Sequence, residues 1–400
     1  MTKNERILLY TLGMVNFTNI MDFMIMMPLG PQLMRIFGIT PQQFGLLVSS
    51  YSISAFISGV IATFLINRFD RKRFLSYVYI GFLIGTFGCG FAPTYPLLLA
   101  ARFFTGFFGG VLGAIILSIV SDAVPLERRG QAMGIIMAAF SLASVFGVPF
   151  GIYIATHSSL EWHAPFLFLA IIGIPVYFFV SKYVPHQKKN IDHGMNESWD
   201  HIKQIFTTKN NLLAMALGVV IMMGHFCIIP YLSPYMVSNV GLKETDLPYI
   251  YFVGGGLTIF TSPLIGKLAD KFGKLRVFTI FIFLYLIPVY LVTNMPPASI
   301  TYVLFVAGIF FIFSGGRFIP SQAMVTGAVK ADIRGSFMSL NSSIQQLANG
   351  AAAYFAGLII TKTAAGPIEN YNIVGYFSLA MALLSLIIGW QLRTADGKRF

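Results

Sequence analysis

One carboxylate in this 400-residue chain sits where water cannot easily reach it. Of its fifteen aspartates and glutamates, only Asp22 lies deep inside a long apolar segment. An acid in such a place is costly, and its default reading is functional. If burial and a neighbouring cation are balanced around it, it can load and release a proton as its access to water changes. It can equally serve as half of a permanent ion pair that ties two helices together. Two arginines, Arg102 and Arg317, also fall within apolar segments. Asp22 lies about 11 residues from one end of its segment, and Arg102 about 7 from the same end of its own. At 1.5 Å per residue the depths differ by roughly 6 Å, which an arginine side chain can span. Arg317 has no such acid in view. It can meet an anionic group of a substrate, snorkel towards water or bond backbone carbonyls.

The second half of the chain repeats the first. Asp22-Phe23-x-Ile25-x-x-x-Leu29-x-Pro31 returns 203 residues later as His225-Phe226-x-Ile228-x-x-x-Leu232-x-Pro234. The basic loop around Arg68 and Arg71 returns around Asp270, Lys271 and Lys274. A third echo, Ala123-Val124 with Arg129-Gly130, returns as Ala328-Val329 with Arg334-Gly335 at an offset of 205. A duplicated membrane bundle places its working site between the two copies. His225 therefore stands in the repeat position of Asp22, either as a titratable base or as a histidine satisfied by hydrogen bonds.

Other polar residues recur at helical spacing. Asn16, Asn19, Asp22, Phe23 and Met26 share one face, a stripe suited to an aqueous cavity. Asn341, Gln345 and Asn349 step by four, and neutral amides in lipid bond either a substrate or a neighbouring helix. Tyr231 and Tyr235, with Tyr51 and Tyr153, supply an aromatic wall or ordinary packing. No phosphate-binding glycine loop, no Gly-x-Ser-x-Gly elbow and no paired His or Cys ligands occur, so neither an enzyme, a metal site nor a cofactor is expected. Cys89 and Cys227 both fall in apolar segments and read as packing residues.

These side chains need elements to hold them. The chain is 56% hydrophobic and 10% charged, far from the roughly one-quarter charged residues of soluble domains. Twelve apolar segments are long enough to span a bilayer, at about 7–33, 43–66, 74–92, 95–121, 131–156, 164–183, 210–239, 247–269, 276–294, 299–325, 336–361 and 371–392. The net charge of +12 would suit nucleic acid, but its distribution excludes that reading: of 27 lysines and arginines, 22 fall on the side of the termini and 3 on the other. That is the positive-inside bias, with both termini cytoplasmic in a multi-pass cell-membrane protein. The expected organisation is an N-terminal six-helix bundle over 1–183, a cytoplasmic linker over 184–209 and a C-terminal six-helix bundle over 210–400. Within the linker, Trp199, Ile202, Ile205 and Phe206 mark a short interfacial helix. The expected partners are a small-molecule substrate, protons and the lipid bilayer, with no nucleic acid, and the chain is expected to be a monomer.

The loop Gly266-Lys267-Leu268-Ala269-Asp270-Lys271-Phe272-Gly273-Lys274-Leu275-Arg276 resembles the G-x-L-a-D-r-x-G-r-[RK] signature of the major facilitator superfamily. The first-half copy departs from it, with Asn67 in place of the acid and Asp70 in place of the second glycine. Leu98-x-x-x-Arg102-x-x-Thr105-Gly106 is similar to the family's buried-arginine motif. Gly147-Val148-Pro149-Phe150-Gly151 is similar to its antiporter motif, in altered form. Asp22 six residues before Pro28-Leu29 resembles the Asp-to-Pro motif of twelve-span drug:proton antiporters. The resemblance implies an all-α membrane protein of twelve transmembrane helices in two pseudo-symmetric bundles, working by alternating access. It also implies proton-coupled efflux of a small organic compound, drug-like or amphipathic. In the family the basic loops pin the ends of the two halves, which here gives Arg68, Arg71, Asp270, Lys271 and Lys274 a gating role. The alternatives are a facilitator or exchanger of a polar metabolite or organic anion using Arg102 and Arg317, a lipid transporter, and a membrane protein that transports nothing.

Overall fold

The computed structural model of the chain describes residues 2–65, 69–125, 128–186, 202–363 and 366–400. Asn67, Arg68, Lys188 and Trp199 lie outside the described residues. The first half contains α1 (Lys3–Ile25), α2 (Gly30–Ile36), α3 (Pro41–Leu65), α4 (Arg71–Gly90), α5 (Tyr95–Ala123), α6 (Arg129–Leu142), α7 (Val148–His157) and α8 (His163–Tyr183). A π-helical turn, Ala143–Gly147, joins α6 to α7. The second half contains α9 (Lys209–Phe226), α10 (Ile229–Ser238), α11 (Leu247–Phe272), α12 (Lys274–Thr293), α13 (Ile300–Gly327), α14 (Arg334–Ile359) and α15 (Tyr371–Gln391). A small hairpin pairs Thr361–Lys362 with Ile368–Glu369 before α15.

Ten helical segments among the described residues are long and apolar enough to cross a membrane. Two further helices run alongside them. The 20-residue α4 opens with Arg71, Lys72 and Arg73, and the 26-residue α14 carries the amides Asn341, Gln345 and Asn349. Both are more polar than most of the other ten, yet α4 packs between α5 and α8, and α14 between α3 and α9. Counted with the ten, they make twelve helical segments among the described residues, consistent with two six-helix bundles. Even crossing numbers put both termini at one end, here the terminal end; the opposite end is the distal end. The outer surface is apolar, with Phe260 79% and Tyr77 70% exposed, as expected where lipid replaces water as solvent.

The first segment of each half, expected from sequence as a single span, is broken. α1 stops at Ile25 and α2 starts at Gly30; α9 stops at Phe226 and α10 starts at Ile229. Prolines are the cause. Pro28 and Pro31 in one copy, and Pro230 in the other, have no N–H to continue the ladder, and their rings crowd the preceding turn. The backbone crosses each gap with tighter bonds, Gly30 N–H to Met27 O at 3.1 Å and Tyr231 N–H to Ile228 O at 3.1 Å. Each break follows a few residues after Asp22 or His225.

Among the described residues the bundles meet chiefly through α3 with α14, α7 and the π turn with α11, and α2 with α10. Glycine allows the second approach. A Cβ at Gly255 of α11 would lie 3.0 Å from Val145 Cγ2 and 3.1 Å from Ser144 O of the π turn. At the distal end every residue of 25–34 and 227–236 is buried. There Arg35 Nη2 meets Glu244 Oε2 at 3.2 Å, and the Tyr231 hydroxyl donates to Pro41 O and Ala353 O, both at 3.0 Å.

Candidate functional site

Asp22 and Arg102 meet inside the first bundle. Arg102 Nη1 donates to Asp22 Oδ2 at 2.7 Å and to the Asp22 carbonyl at 3.3 Å. Thr86 Oγ1 of α4 donates to the other carboxylate oxygen at 3.1 Å. Both side chains of the ion pair are at most 1% exposed. Each charge thus offsets the desolvation of the other, which is the condition for keeping a charged pair in such a place. The guanidinium also lies 4.5 Å from the Tyr51 ring centroid, a cation–π contact. The Tyr51 hydroxyl donates to Asn19 Oδ1 at 2.9 Å, and Gly109 of α5 leaves room for that hydroxyl. A continuous polar chain results, from Thr86 through Asp22 and Arg102 to Tyr51 and Asn19.

The expected α1 stripe does not all face one cavity. Asn16 Nδ2 donates to Ile136 O of α6 at 3.2 Å, and Asp22 turns towards α4 and α5. Met26 is fully buried at the break. Asn19 and Phe23 remain half-buried. Phe23 reaches the second bundle, its ring 5.8 Å from that of Phe226, and it also packs 5.3 Å from the Tyr51 ring.

His225 turns into its own bundle, as Asp22 does. Its Nδ1 shares a hydrogen bond with Ser314 Oγ of α13 at 3.1 Å, and its ring stacks on Phe310. Arg317, one turn beyond Ser314, is 1% exposed and lies 3.8 Å over the Tyr285 ring of α12. Its Nε and Nη1 are buried and have no hydrogen-bond partner. The two buried arginines therefore differ: Arg102 has a carboxylate, whereas Arg317 has only an aromatic face.

On α14, Asn341 Oδ1, Gln345 Nε2 and Asn349 Oδ1 are likewise buried without partners. Asn349 Nδ2 reaches Gln346 Oε1 at 3.4 Å. The amides face α9 where Gly218 has no side chain: a Cβ there would lie 2.6 Å from Gln345 Nε2 and 3.2 Å from Asn341 Oδ1. Tyr231 and Tyr235, expected to line the cavity, lie instead in the buried distal segment. Tyr231 bonds across to Pro41, and Tyr235 donates to Met295 O at 3.0 Å while its ring packs on Tyr371.

Of the loop residues expected to pin the halves, Arg71 turns inward to Asp122 of its own half at 3.3 Å. Asp270 is exposed, and Lys271 lies over the ring of its neighbour Phe272 at 5.3 Å. Among the described residues, Asp270, Lys271 and Lys274 make no ion pair to the other bundle. Sequence reasoning passed over Thr86, Tyr285 and Ser314. A signal existed for two of them: Thr86 is a rare hydroxyl in an apolar segment, and Ser314 precedes Gly315-Gly316-Arg317.

The sequence model of the Major Facilitator Superfamily matches residues 12–353 and, again, 214–399. The uncharacterized MFS-type transporter YfhI of Bacillus subtilis is 23% identical over 334 residues, covering 80% of this chain and 78% of YfhI. Multidrug resistance protein 3 of the same organism is 35% identical over 156 residues, 38% of this chain and 30% of that protein. A solved D-xylose-proton symporter superposes with a TM-score of 0.78 at 17% identity over 99% of both chains, a likeness of fold.

Proposed function

The chain belongs to the major facilitator superfamily, and from that premise we propose that this transporter exports a small, mostly apolar organic compound in exchange for protons. The observation that carries the reading is the buried Asp22–Arg102 pair, 2.7 Å long and out of contact with solvent. A proton arriving at Asp22 removes the carboxylate charge and with it the attraction that holds Arg102. The guanidinium is then left to Tyr51, whose hydroxyl is bonded to Asn19 at the edge of the bundle. Proton loading is in this way coupled to side chains that border the second half, and alternating access carries the change across. The cargo class is supported by the likeness to Multidrug resistance protein 3, which is 35% identical over 38% of this chain.

In this reading residues 1–183 and 210–400 are the rocking bundles, joined by a cytoplasmic linker over 184–209. The terminal end, which carries most of the lysine and arginine, faces the cytoplasm across the cell membrane. Asn19, Phe23, Asn341, Gln345 and Asn349 border the path of the cargo.

The test uses protein reconstituted in vesicles with an imposed pH gradient and a panel of fluorescent apolar cations and neutral dyes. The wild type should accumulate at least one probe against its gradient. Asp22→Asn should lose uphill accumulation yet retain probe exchange without a gradient, because the amide resembles the protonated acid in shape. Full proton-driven accumulation by Asp22→Asn would remove the carrier role and leave the pair as a structural tie.

A further inference from the structure

Among the described residues, Arg317 is a buried charge without a counter-charge. The acidic residues after position 209 are Glu244, Asp246, Asp270, Asp332, Glu369 and Asp396. Each sits in a loop or near a helix end: Glu244 and Asp246 in a 3-10 turn, Asp270 in the last turn of α11, Asp332 in the turn before α14, Glu369 in the hairpin and Asp396 after α15. No acidic residue of this half therefore lies in the middle of a span, where Arg317 sits on α13. An ion in that setting is retained only when it is paired or fully hydrogen-bonded. Arg317 has one face on Tyr285 at 3.8 Å, which lowers the cost but satisfies none of its in-plane N–H donors. Nε and Nη1 stay unpartnered.

The surroundings supply further donors. Ser314, three residues earlier on α13, lies on the same face as Arg317, and its hydroxyl shares a hydrogen with His225. His225 is half-buried, and the next residue, Phe226, stands at the boundary between the bundles against Phe23. The cluster thus runs from a buried guanidinium to the seam along which the halves move.

We propose that Arg317, with Ser314 and His225 beside it, is a binding site for a single small anion: the carboxylate of a transported compound or an inorganic ion of chloride size. The anion completes the charge balance that Asp22 provides for Arg102 in the first half. Guanidinium groups favour carboxylates and other oxyanions through charge-assisted hydrogen bonds. The identification of a carboxylate as cargo rests on the transporter reading above, but binding itself depends on neither the direction of flux nor proton coupling.

Thermal unfolding of the purified chain in detergent tests the site without measuring flux, so it can fail or succeed independently of the Asp22 experiment. Chloride, nitrate and benzoate are titrated at constant ionic strength against a bulky sulfonate salt. The expected result is a saturable upward shift of the unfolding midpoint with at least one of them. Saturation by chloride or nitrate assigns an inorganic ion, and saturation by benzoate alone assigns a carboxylate. Arg317→Gln should abolish the shift. Should that variant fail to fold, Arg317→Lys and Ser314→Ala should each weaken apparent affinity by about tenfold, the loss of roughly one charge-assisted hydrogen bond. The proposal is overturned if no anion gives a saturable shift, or if the shift persists unchanged in the variants.

Discussion

Phe23 and Phe226 meet across the boundary between the bundles, ring centroids 5.8 Å apart and planes inclined by 41°. They are the same position of the repeat. The residue before each, Asp22 or His225, turns back into its own bundle, so polar chemistry is kept inside each half while the rings form the contact between them. Tilted aromatic pairs at this spacing add about 0.5–1.5 kcal/mol beyond their buried area. A double-mutant cycle of Phe23→Leu and Phe226→Leu, read by unfolding in detergent, should return a coupling energy in that range. Strict additivity would mean that the rings are neighbours without being partners.

The approach of α11 to the π turn gives a second expectation. Gly255 has Val145 and Ser144 O close to where a Cβ would sit, whereas Gly256 has nothing within 4 Å. Gly255→Leu should force these helices apart, lengthening the distance between spin labels on α7 and α11 and slowing transport at least tenfold. Gly256→Leu should do neither. Equal effects from both variants would show that helix propensity or lipid contact, rather than the approach of the bundles, is responsible.

Depth in the membrane is readable from sequence, and rotation about a helix axis much less so. Counting residues placed Asp22 and Arg102 roughly 6 Å apart along the membrane normal, and their side chains meet at 2.7 Å. The repeat aligned His225 with Asp22, and both precede a break at matching places. The direction each side chain takes was not available in the same way. Asn16, one turn before Asn19 on the same stripe, donates instead to the Ile136 carbonyl. Tyr231 and Tyr235 are drawn into the distal segment by carbonyls of Pro41, Ala353 and Met295. Such acceptors belong to whichever backbone the fold brings alongside, and no residue type announces them. The π turn at Ala143–Gly147 is a further case: Pro149 signals a disturbed ladder, but a wider turn and a kink satisfy the same constraint.

Topology yields a direct expectation. Lys362 in the hairpin and Lys398 near the C-terminus are both exposed, at opposite ends of the helices. With the terminal end cytoplasmic, a cysteine at position 362 should react with an impermeant maleimide on intact cells, and one at position 398 only after lysis. The same accessibility for both would overturn the twelve-crossing map, and the reverse order would invert it.

The Arg35–Glu244 pair joins the halves at the distal end, but its arginine is 57% exposed, so water screens much of the attraction. Exposed pairs are worth about 0–1 kcal/mol. Arg35→Gln should therefore change unfolding stability by less than about 1 kcal/mol. Its larger effect should be on the distribution of states, with distal spin-label distances populating a longer component that Arg35→Glu with Glu244→Arg restores. A loss of stability well above that limit would place Arg35 among the structural ties instead.

The Asp22–Arg102 pair should behave in the opposite way. With both side chains buried, removing one partner leaves an uncompensated charge, and Asp22→Leu or Arg102→Met alone should each cost roughly 3–5 kcal/mol. Replacing both at once removes the desolvation of two ions along with their attraction. Methionine can keep contact with the Tyr51 ring that the guanidinium now covers at 4.5 Å. The double variant should thus recover to within about 1 kcal/mol of the parent, or exceed it. Unfolding in detergent measures this, and proton-driven uptake by the same protein in vesicles measures the rest. A double variant that folds well but does not couple to protons assigns the pair to function. One that is as unstable as the single variants, Thr86 having lost its acceptor as well, assigns it to holding α1, α4 and α5 together.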